Sequence, residues 1–457
     1  MLHYKTLRFM GLMTFMFLAL NVFAQQNKIQ YFRPYDQRGI NVFETSKLDT
    51  VSFEGLKVKI GANFTQQYQN LSHSNSENIV SEVNKNALYD LSPGFNLAMA
   101  NFNIDVQLTD GVRVSLVSYM STRHHNEFWV KGGFFQIDKV GFLNSEVMDN
   151  LWKNLTLKIG HMEINYGDAH FRRSDAGNAL YNPFIENNIM DAFTTEIGGE
   201  LYWQKSGFLA MVGITDGEIQ GSVTKGDDRA PSYYSKIGYD RSINEDLRVR
   251  LTGSVYATKS SVSNTLYGGD RAGSRYYFVM EPANATLTGN SFSARVNPGF
   301  KDNVTSFMIN PFIKFKNVEL FGTYEISKGN AQVENGEIQS TDNTQPILAK
   351  LSKREFNQFA IDGIYRFAAD KMYVGAKYNV VSGDLAFGLS TAQPNVSQGV
   401  RQDVKVERTA FAAGWFVTKN ILLKGEYVTQ KYKDFPSTDI RSNGSFDGFV
   451  IEGTIGF

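Results

Sequence analysis

Apolar and polar residues alternate with a period of two along most of the chain. In a representative segment, small or polar residues mostly separate Met372, Val374, Ala376, Tyr378 and Val380. An α-helix would repeat every 3.6 residues and would not tolerate the frequent glycine and β-branched residues of these segments. The segments are also longer than the strands of about 5–6 residues that soluble proteins use. The pattern predicts an all-β chain of long amphipathic strands.

Sixteen strands can be placed on this pattern, and short turns alternate with long loops between them. The predicted strands are residues 55–69, 94–108, 111–121, 127–137, 153–167, 196–205, 207–216, 232–241, 246–258, 304–316, 318–327, 354–368, 371–382, 404–417, 420–432 and 446–457. In a transmembrane barrel the short turns face the periplasm and the long loops face outward, so an even strand number leaves both ends in the periplasm. Residues 289–297 are a candidate for another strand, but counting them would break this parity. The prediction is a single antiparallel transmembrane β-barrel of about sixteen strands, with eighteen as the alternative count.

The last strand favours a membrane barrel over a soluble sandwich. Phe449, Ile451, Ile455 and Phe457 share one face, and the strand ends on phenylalanine. An amphipathic strand of this kind resembles the insertion signal of bacterial outer-membrane barrels, and the alternative is an ordinary edge strand. Aromatic residues also cluster near the predicted strand ends, as an interfacial girdle requires.

Residues 1–24 are a predicted signal peptide. Lys5 and Arg8 precede an almost entirely apolar run that ends at Ala24, followed by polar residues. The run is shorter than the about 20 residues that a membrane-spanning helix needs, which disfavours an uncleaved anchor. Export by a cleaved signal peptide and a barrel pattern together predict a bacterial outer-membrane location.

The exported part of the chain divides into two regions. Residues 25–50 show no alternation and contain the stretch YFRPYDQRG, so we expect a periplasmic N-terminal segment packed at the mouth of the barrel. Residues 51–457 form the predicted barrel, and no region is large enough for a separate plug domain.

Composition excludes several classes of function. The 46 basic and 46 acidic side chains give a net charge of zero, which argues against a nucleic-acid partner. Cysteine is absent, which excludes disulfides, thiolate metal sites and a cysteine nucleophile. The chain has no phosphate-binding loop, GxSxG elbow or HExxH helix, so no catalytic residue, metal site or cofactor is predicted. The remote alternative is a barrel hydrolase that uses His161, Glu163, Asp168 and His170, for which no serine partner can be assigned.

A barrel of sixteen to eighteen strands encloses an aqueous channel unless a loop blocks it, so a channel is the default function. The loop of residues 168–195 follows the fifth strand and is rich in apolar residues, which predicts that it folds into the barrel and narrows it. Charged side chains at such a constriction set ion preference. The predicted constriction residues are His170, Arg172, Arg173, Asp175, Glu186 and Asp191.

The polar faces of the strands supply candidates for the lining of the lumen. These candidates are Lys57, Lys59, Arg113, Lys158, Arg248, Arg250, Arg366, Lys377, Glu319 and Asp362. Basic residues outnumber acidic ones on these faces, which predicts a weak preference for anions. If the alternation of a strand is assigned one residue out of register, all of its predicted lumen-facing residues would instead face the lipid.

The stretches KIGHMEINYGDAHFRRSDAGNALYNPF and ENNIMDAFTTEIGGE, with YFRPYDQRGINVFE near the start, resemble a family of outer-membrane porins from the Bacteroidota. That family is distantly similar to the phosphate-selective porins. The resemblance implies a porin barrel and raises phosphate as a solute. Phosphate-selective porins present a ladder of arginine and lysine, whereas this loop offers only Arg172 and Arg173 beside acids.

The sequence thus predicts an outer-membrane porin, a passive diffusion channel for small hydrophilic solutes or ions, and not an enzyme. Its expected partners are outer-membrane lipid and lipopolysaccharide, the solutes themselves and, from its class, two further copies in a homotrimer. The alternative is a closed or gated barrel that binds a partner protein or serves a structural role.

Overall fold

The structure is a computed structural model that describes residues 28–457, except 49, 77–86, 125–126, 175–177, 218–229, 261–263, 332–333, 335–350 and 388–399. The predicted signal peptide, residues 1–24, and the predicted constriction residue Asp175 lie outside the described residues. No helix in the described ranges is long and apolar enough to cross a membrane.

The described chain forms one closed antiparallel barrel of sixteen strands, in which each strand pairs with its sequence neighbours. The strands are β1 (Lys57–Ser74), β2 (Gly94–Thr109), β3 (Val112–Met120), β4 (Trp129–Ile137), β5 (Leu155–Glu163), β6 (Thr195–Lys205), β7 (Phe208–Thr215), β8 (Ser232–Ser242), β9 (Leu247–Ser260), β10 (Asp302–Phe315), β11 (Val318–Asn330), β12 (Arg354–Phe367), β13 (Met372–Phe387), β14 (Val400–Thr418), β15 (Ile421–Lys433) and β16 (Ser445–Gly456). Strands β1 and β16 close the barrel in a register that runs from Asn63 opposite Gly456 to Ser74 opposite Ser445. The predicted sixteen-stranded antiparallel barrel is confirmed.

The two faces of each strand differ as the alternation predicts. In β1, Asn63, Thr65 and Gln67 point inward and are buried, whereas Ile60 and Phe64 point outward and are exposed. Exposed outward aromatics lie close to the short turns. Examples are Phe208, Phe315, Tyr365, Trp415 and Phe457. An apolar outer band with aromatic residues near its rim is what a lipid bilayer requires of a barrel.

The short connections form one end of the barrel, which we call the short-turn end. The turn between β6 and β7 consists of Ser206 and Gly207, both at positive φ, as tight hairpins require. The longest short-side connection contains the helix α1 (Glu146–Trp152), whose first turn is capped by the side chain of Ser145.

Several strand ends differ from the prediction, and β1 and β13 continue to Ser74 and Phe387, beyond the predicted 69 and 382. Strand β5 ends at Glu163, because the chain turns into the lumen after that residue instead of continuing to 167. Residues 289–297 form turns and not a strand, and they belong to a loop that folds inward.

Candidate pore constriction

The loop after β5 crosses the lumen to the opposite wall. The backbone N–H of Ile185 donates to Glu426 Oε2 on β15 at 2.8 Å, and Tyr373 on β13 donates to Pro183 O at 2.9 Å. Lys424 Nζ donates to Phe184 O at 3.0 Å. Strands β13–β15 lie half-way round the barrel from β5 and β6. We call residues 164–194, outside the undescribed 175–177, the first lumen loop.

The connection between β9 and β10 also folds inward. Tyr276 Oη donates to Glu426 Oε1 at 2.5 Å, and Tyr432 Oη donates to Ser293 O at 2.8 Å. Arg408 Nη2 donates to Ala294 O at 2.7 Å. Residues 264–301, the second lumen loop, therefore pack beside the first loop and reach β14 and β15.

The N-terminal segment, residues 28–48, crosses the short-turn end. Gln30 Nε2 donates to Asp110 Oδ1 in the β2–β3 turn at 2.8 Å. The backbone N–H of Gln37 donates to Lys419 O in the β14–β15 turn at 2.8 Å. Lys47 Nζ donates to Asp138 O near the β4–β5 connection at 2.7 Å. These contacts anchor the segment to turns that are spread around the mouth.

A buried ion cluster joins the N-terminal segment, the first lumen loop and the barrel wall. Glu44 lies 3.3 Å from Lys236 Nζ and 2.6 Å from Arg250 Nη2. Asp168 lies 2.9 Å from Lys236 Nζ and 2.8 Å from Arg250 Nε, and it accepts a hydrogen bond from Thr252 at 2.8 Å. Two acids from the interior segments therefore meet two cations from β8 and β9 in a buried cluster. Removing any one of these charges would leave a buried charge of opposite sign poorly compensated.

The electrostatics of this cluster set a pH dependence. Burial opposes ionisation of Glu44, but Arg250 and Lys236 outweigh it and lower the pKa of the carboxyl to about 2. A depressed carboxyl pKa stabilises the folded state at pH values above the unfolded pKa. This contribution is lost as the pH falls through the folded pKa.

We therefore expect Glu44→Gln to lower the free energy of unfolding by about 3 kcal/mol at neutral pH. The difference from the native chain should stay constant down to pH 4.5 and then shrink towards pH 2, because only the native chain loses this charge there. Urea unfolding in detergent micelles across this pH range measures it. Glu54→Gln, which removes an exposed carboxylate, serves as the control. If the difference in unfolding free energy between the native chain and Glu44→Gln does not change with pH, Glu44 is not an ionised member of the buried cluster.

The predicted constriction residues do not form one ring. Arg173 forms an ion pair with Asp191, which is also 3.2 Å from Arg295 Nη1 of the second lumen loop. Glu186 accepts from the backbone N–H of Arg275 at 2.6 Å. These residues tie the two lumen loops together.

His170 lies in a separate environment. Its Nδ1 is 3.2 Å from Glu163 Oε1 and its Nε2 is 2.7 Å from Asn165 Oδ1. Burial lowers the pKa of His170, and the neighbouring Glu163 carboxylate opposes this shift. His161, the other histidine of the hydrolase alternative, contacts Thr195 instead.

The predicted lumen-lining residues lie on the inward faces of their strands, and most of the cations have an acidic partner. The pairs are Lys57–Glu54 (2.9 Å), Arg113–Asp105 (3.6 Å), Lys158–Glu200 (3.3 Å), Arg248–Asp240 (2.7 Å), Arg250–Asp168 (2.8 Å) and Arg366–Glu319 (2.8 Å). Lys59 lies 5.6 Å from the ring of Phe32, and Lys377 is 3.9 Å from Asp362. Little net charge is left on the described wall.

A cavity with a volume of about 160 Å³ lies between the N-terminal segment and the wall of β3–β6. Its lining combines aromatic rings with polar and charged groups, and it contains no serine among the described residues. The main lining side chains are Phe43, Glu44, Arg113, Phe134, Lys158, His170, Phe171 and Tyr202. Elsewhere, inward side chains such as Glu325, Asn379 and Gln430 are fully buried by the two lumen loops.

Sequence reasoning missed the second lumen loop and Lys236. The loop carries the run RYYFVM, and its members Tyr276, Val279 and Met280 are buried. The apolar content that indicated an in-folded first loop was present here too. Lys236 follows Ser232 and Tyr234 on the inward phase of β8, so the phase of that strand could have placed it in the lumen.

No protein-family model and no curated protein matches the chain. Among solved structures, an anion-selective porin from Comamonas acidovorans is similar, with 11% identity over 88% of this chain and 100% of that chain, and a TM-score of 0.50. The outer-membrane channel DcaP of Acinetobacter baumannii is similar at 11% identity, covering 89% of this chain and 99% of that chain, also with a TM-score of 0.50.

The first is described as a porin and the second as an outer-membrane channel, and at this identity the likeness concerns the fold. The closed sixteen-stranded barrel with an apolar outer band has the fold of the outer-membrane porins.

Proposed function

We propose that this protein is an outer-membrane porin that lets small hydrophilic solutes diffuse passively, with a lumen narrowed by two loops and the N-terminal segment. The observation that carries the proposal is the closed sixteen-stranded barrel, whose inner face bears charged and amide side chains such as Lys158, Arg250 and Gln358 beside apolar residues that pack against the lumen loops. We propose that the barrel is oriented in the outer membrane with its short-turn end facing the periplasm.

The selectivity that we propose is a weak preference for anions. Most cations of the lumen face an acid, as in the pairs of Lys158 with Glu200 and Arg366 with Glu319, so their fields largely cancel. The Bacteroidota porin family remains our proposal for the relatives of this chain. Phosphate is the less favoured solute, because the described part of the lumen shows no uninterrupted series of cations.

We further propose a homotrimer that packs through the wall of β3–β7. The strands of this wall have 8 to 11 residues, whereas β9–β16 have 12 to 19. A short wall spans less of the bilayer and is better covered by neighbouring copies than by lipid.

Vesicle swelling tests the proposed function. Vesicles that contain the folded protein should swell in isotonic solutions of small sugars or amino acids, and the rate should fall steeply with solute size because the described lumen is narrow. Vesicles without protein provide the baseline. Equal rates with and without protein, for the smallest solutes, would overturn the proposal.

The second candidate function is a closed barrel that is gated or binds a partner. The observation that favours it is the complete burial of inward side chains such as Asn379 and Gln430 beneath the lumen loops. This candidate predicts no swelling in any solute. We propose no enzymatic role, because His170 is held by Glu163 and Asn165 and the neighbouring cavity offers no serine among its described lining residues.

A further inference from the structure

Arg172 is a buried cation whose hydrogen-bond donors are unused. It ends a short 3₁₀ turn of the first lumen loop and is 5% exposed. None of its three guanidinium nitrogens has a hydrogen-bond partner. The nearest carboxylate oxygen, Asp362 Oδ2, is 3.9 Å away, and the guanidinium lies 4.6 Å from the ring centre of Phe321. A guanidinium group can only donate hydrogen bonds. Burying it without an acceptor costs folding free energy, so an acceptor is expected beside it.

A second cation lies on the other side of the same carboxylate. Lys377 on β13 is 5% exposed, and its Nζ is 3.9 Å from Asp362 Oδ1. Both distances to Asp362 are too long for hydrogen bonds. Two cations therefore share one distant carboxylate, so one positive charge within this group of three has no acidic partner of its own.

Other buried arginines of the lumen do have hydrogen-bond partners. Arg408 donates to Gln430, Asn187 and Ala294 at 2.6 to 2.9 Å, and Arg366 donates to Glu319 at 2.8 Å. The lack of partners at Arg172 is thus not a general property of arginines in this barrel.

A small cavity of about 20 Å³ lies against these groups. Its lining includes Arg172, Asp362, Lys377, Gln358 and Asn182, and also Asp191, whose charge is paired with Arg173 and Arg295. A cavity of this size holds about one water-sized particle and is too small for phosphate or a sugar.

We infer that Arg172 and Lys377 form a binding site for a single small monovalent anion of chloride size, within the porin lumen of the proposed function. The anion accepts from Arg172 and Lys377, and it balances the local positive charge. A water molecule would fill the same space and accept from the same donors, but it would leave that charge uncompensated. Small anions that pass the first lumen loop bind transiently at this site along their path through the lumen.

Bromide, which scatters anomalously, is the probe for this site. Crystals of the full folded protein grown in sodium bromide should show an anomalous peak in contact with both Arg172 and Lys377. Arg172→Gln should abolish the peak, and Lys377→Gln should weaken it. Lys314→Gln removes a partly exposed lumen cation that does not line the cavity, and it should leave the peak unchanged.

Two outcomes overturn the inference. One is density for water without an anomalous peak at this position in the native protein, and the other is a peak that persists in Arg172→Gln. The native crystals decide the question even if a variant fails to fold. The test does not depend on conduction, so a bromide peak in a protein that gives no vesicle swelling would refute the porin function and leave the anion site standing.

Discussion

Asp168→Asn should destabilise the barrel by about 3–5 kcal/mol, the range for breaking a buried ion pair on one side. Asp168 accepts from Arg250 Nε and Nη2 and from Thr252 Oγ1, each at 2.8 Å, and it also contacts Lys236. Asparagine has nearly the same shape as aspartate but no negative charge. The two buried cations, Lys236 and Arg250, would then share Glu44 as their nearest acid. Urea unfolding in detergent micelles, followed by tryptophan fluorescence, measures the change.

Two further variants make this prediction specific. Asp246→Asn removes an exposed acid that lies 3.9 Å from Lys316 in a turn, and it should change stability by no more than about 0.5 kcal/mol. Adding Lys236→Met to Asp168→Asn removes one of the two cations that then share Glu44, so the double variant should be more stable than the single one. If the single variants at Asp168 and Asp246 behave alike, the cluster does not hold the first lumen loop.

Removal of residues 28–48 should raise the single-channel conductance several-fold. The segment crosses the short-turn end, and Tyr181 and Arg33 tie it to the first lumen loop: Tyr181 Oη donates to Pro34 O, and Arg33 lies 3.8 Å from the Tyr181 ring centre. Without the segment, the mouth opens and the loop loses one of its supports, so the narrowest part of the path widens. Recordings of the deleted chain in planar bilayers measure this effect.

The matched control keeps the length and charge of the segment. A chain that carries residues 28–48 in shuffled order loses the specific contacts, and it should conduct like the deleted chain. Heat-modifiable migration on gels shows that each variant is folded before it is recorded. Equal conductance in the native and deleted chains would mean that the segment does not limit the path.

The sequence predicted the strands well because their signal is local. A period of two follows from the geometry of each strand, and one lipid-facing side makes the alternation strong over long segments. The inward phase of Lys57, Arg113 and Arg366 could be read in the same way. The differences lie at strand ends: β5 ends early at Glu163, where the chain enters the lumen, and β1 and β13 stay paired beyond their predicted ends, to Ser74 and Phe387.

The contacts inside the lumen could not be predicted because they join residues that are far apart in sequence. Glu44 meets Arg250, and Arg408 meets Ala294, through packing that no local pattern encodes. The apolar content of the first loop indicated that it folds inward, but not that Arg173, Glu186 and Asp191 would bind the second loop.

The measurement that tests the central claim most directly is single-channel recording of the intact folded protein in a planar bilayer under a potassium chloride gradient. The account predicts a small, steady, ohmic conductance with a reversal potential shifted slightly towards that of chloride. No conductance from protein shown to be folded would contradict a passive porin and favour the closed barrel.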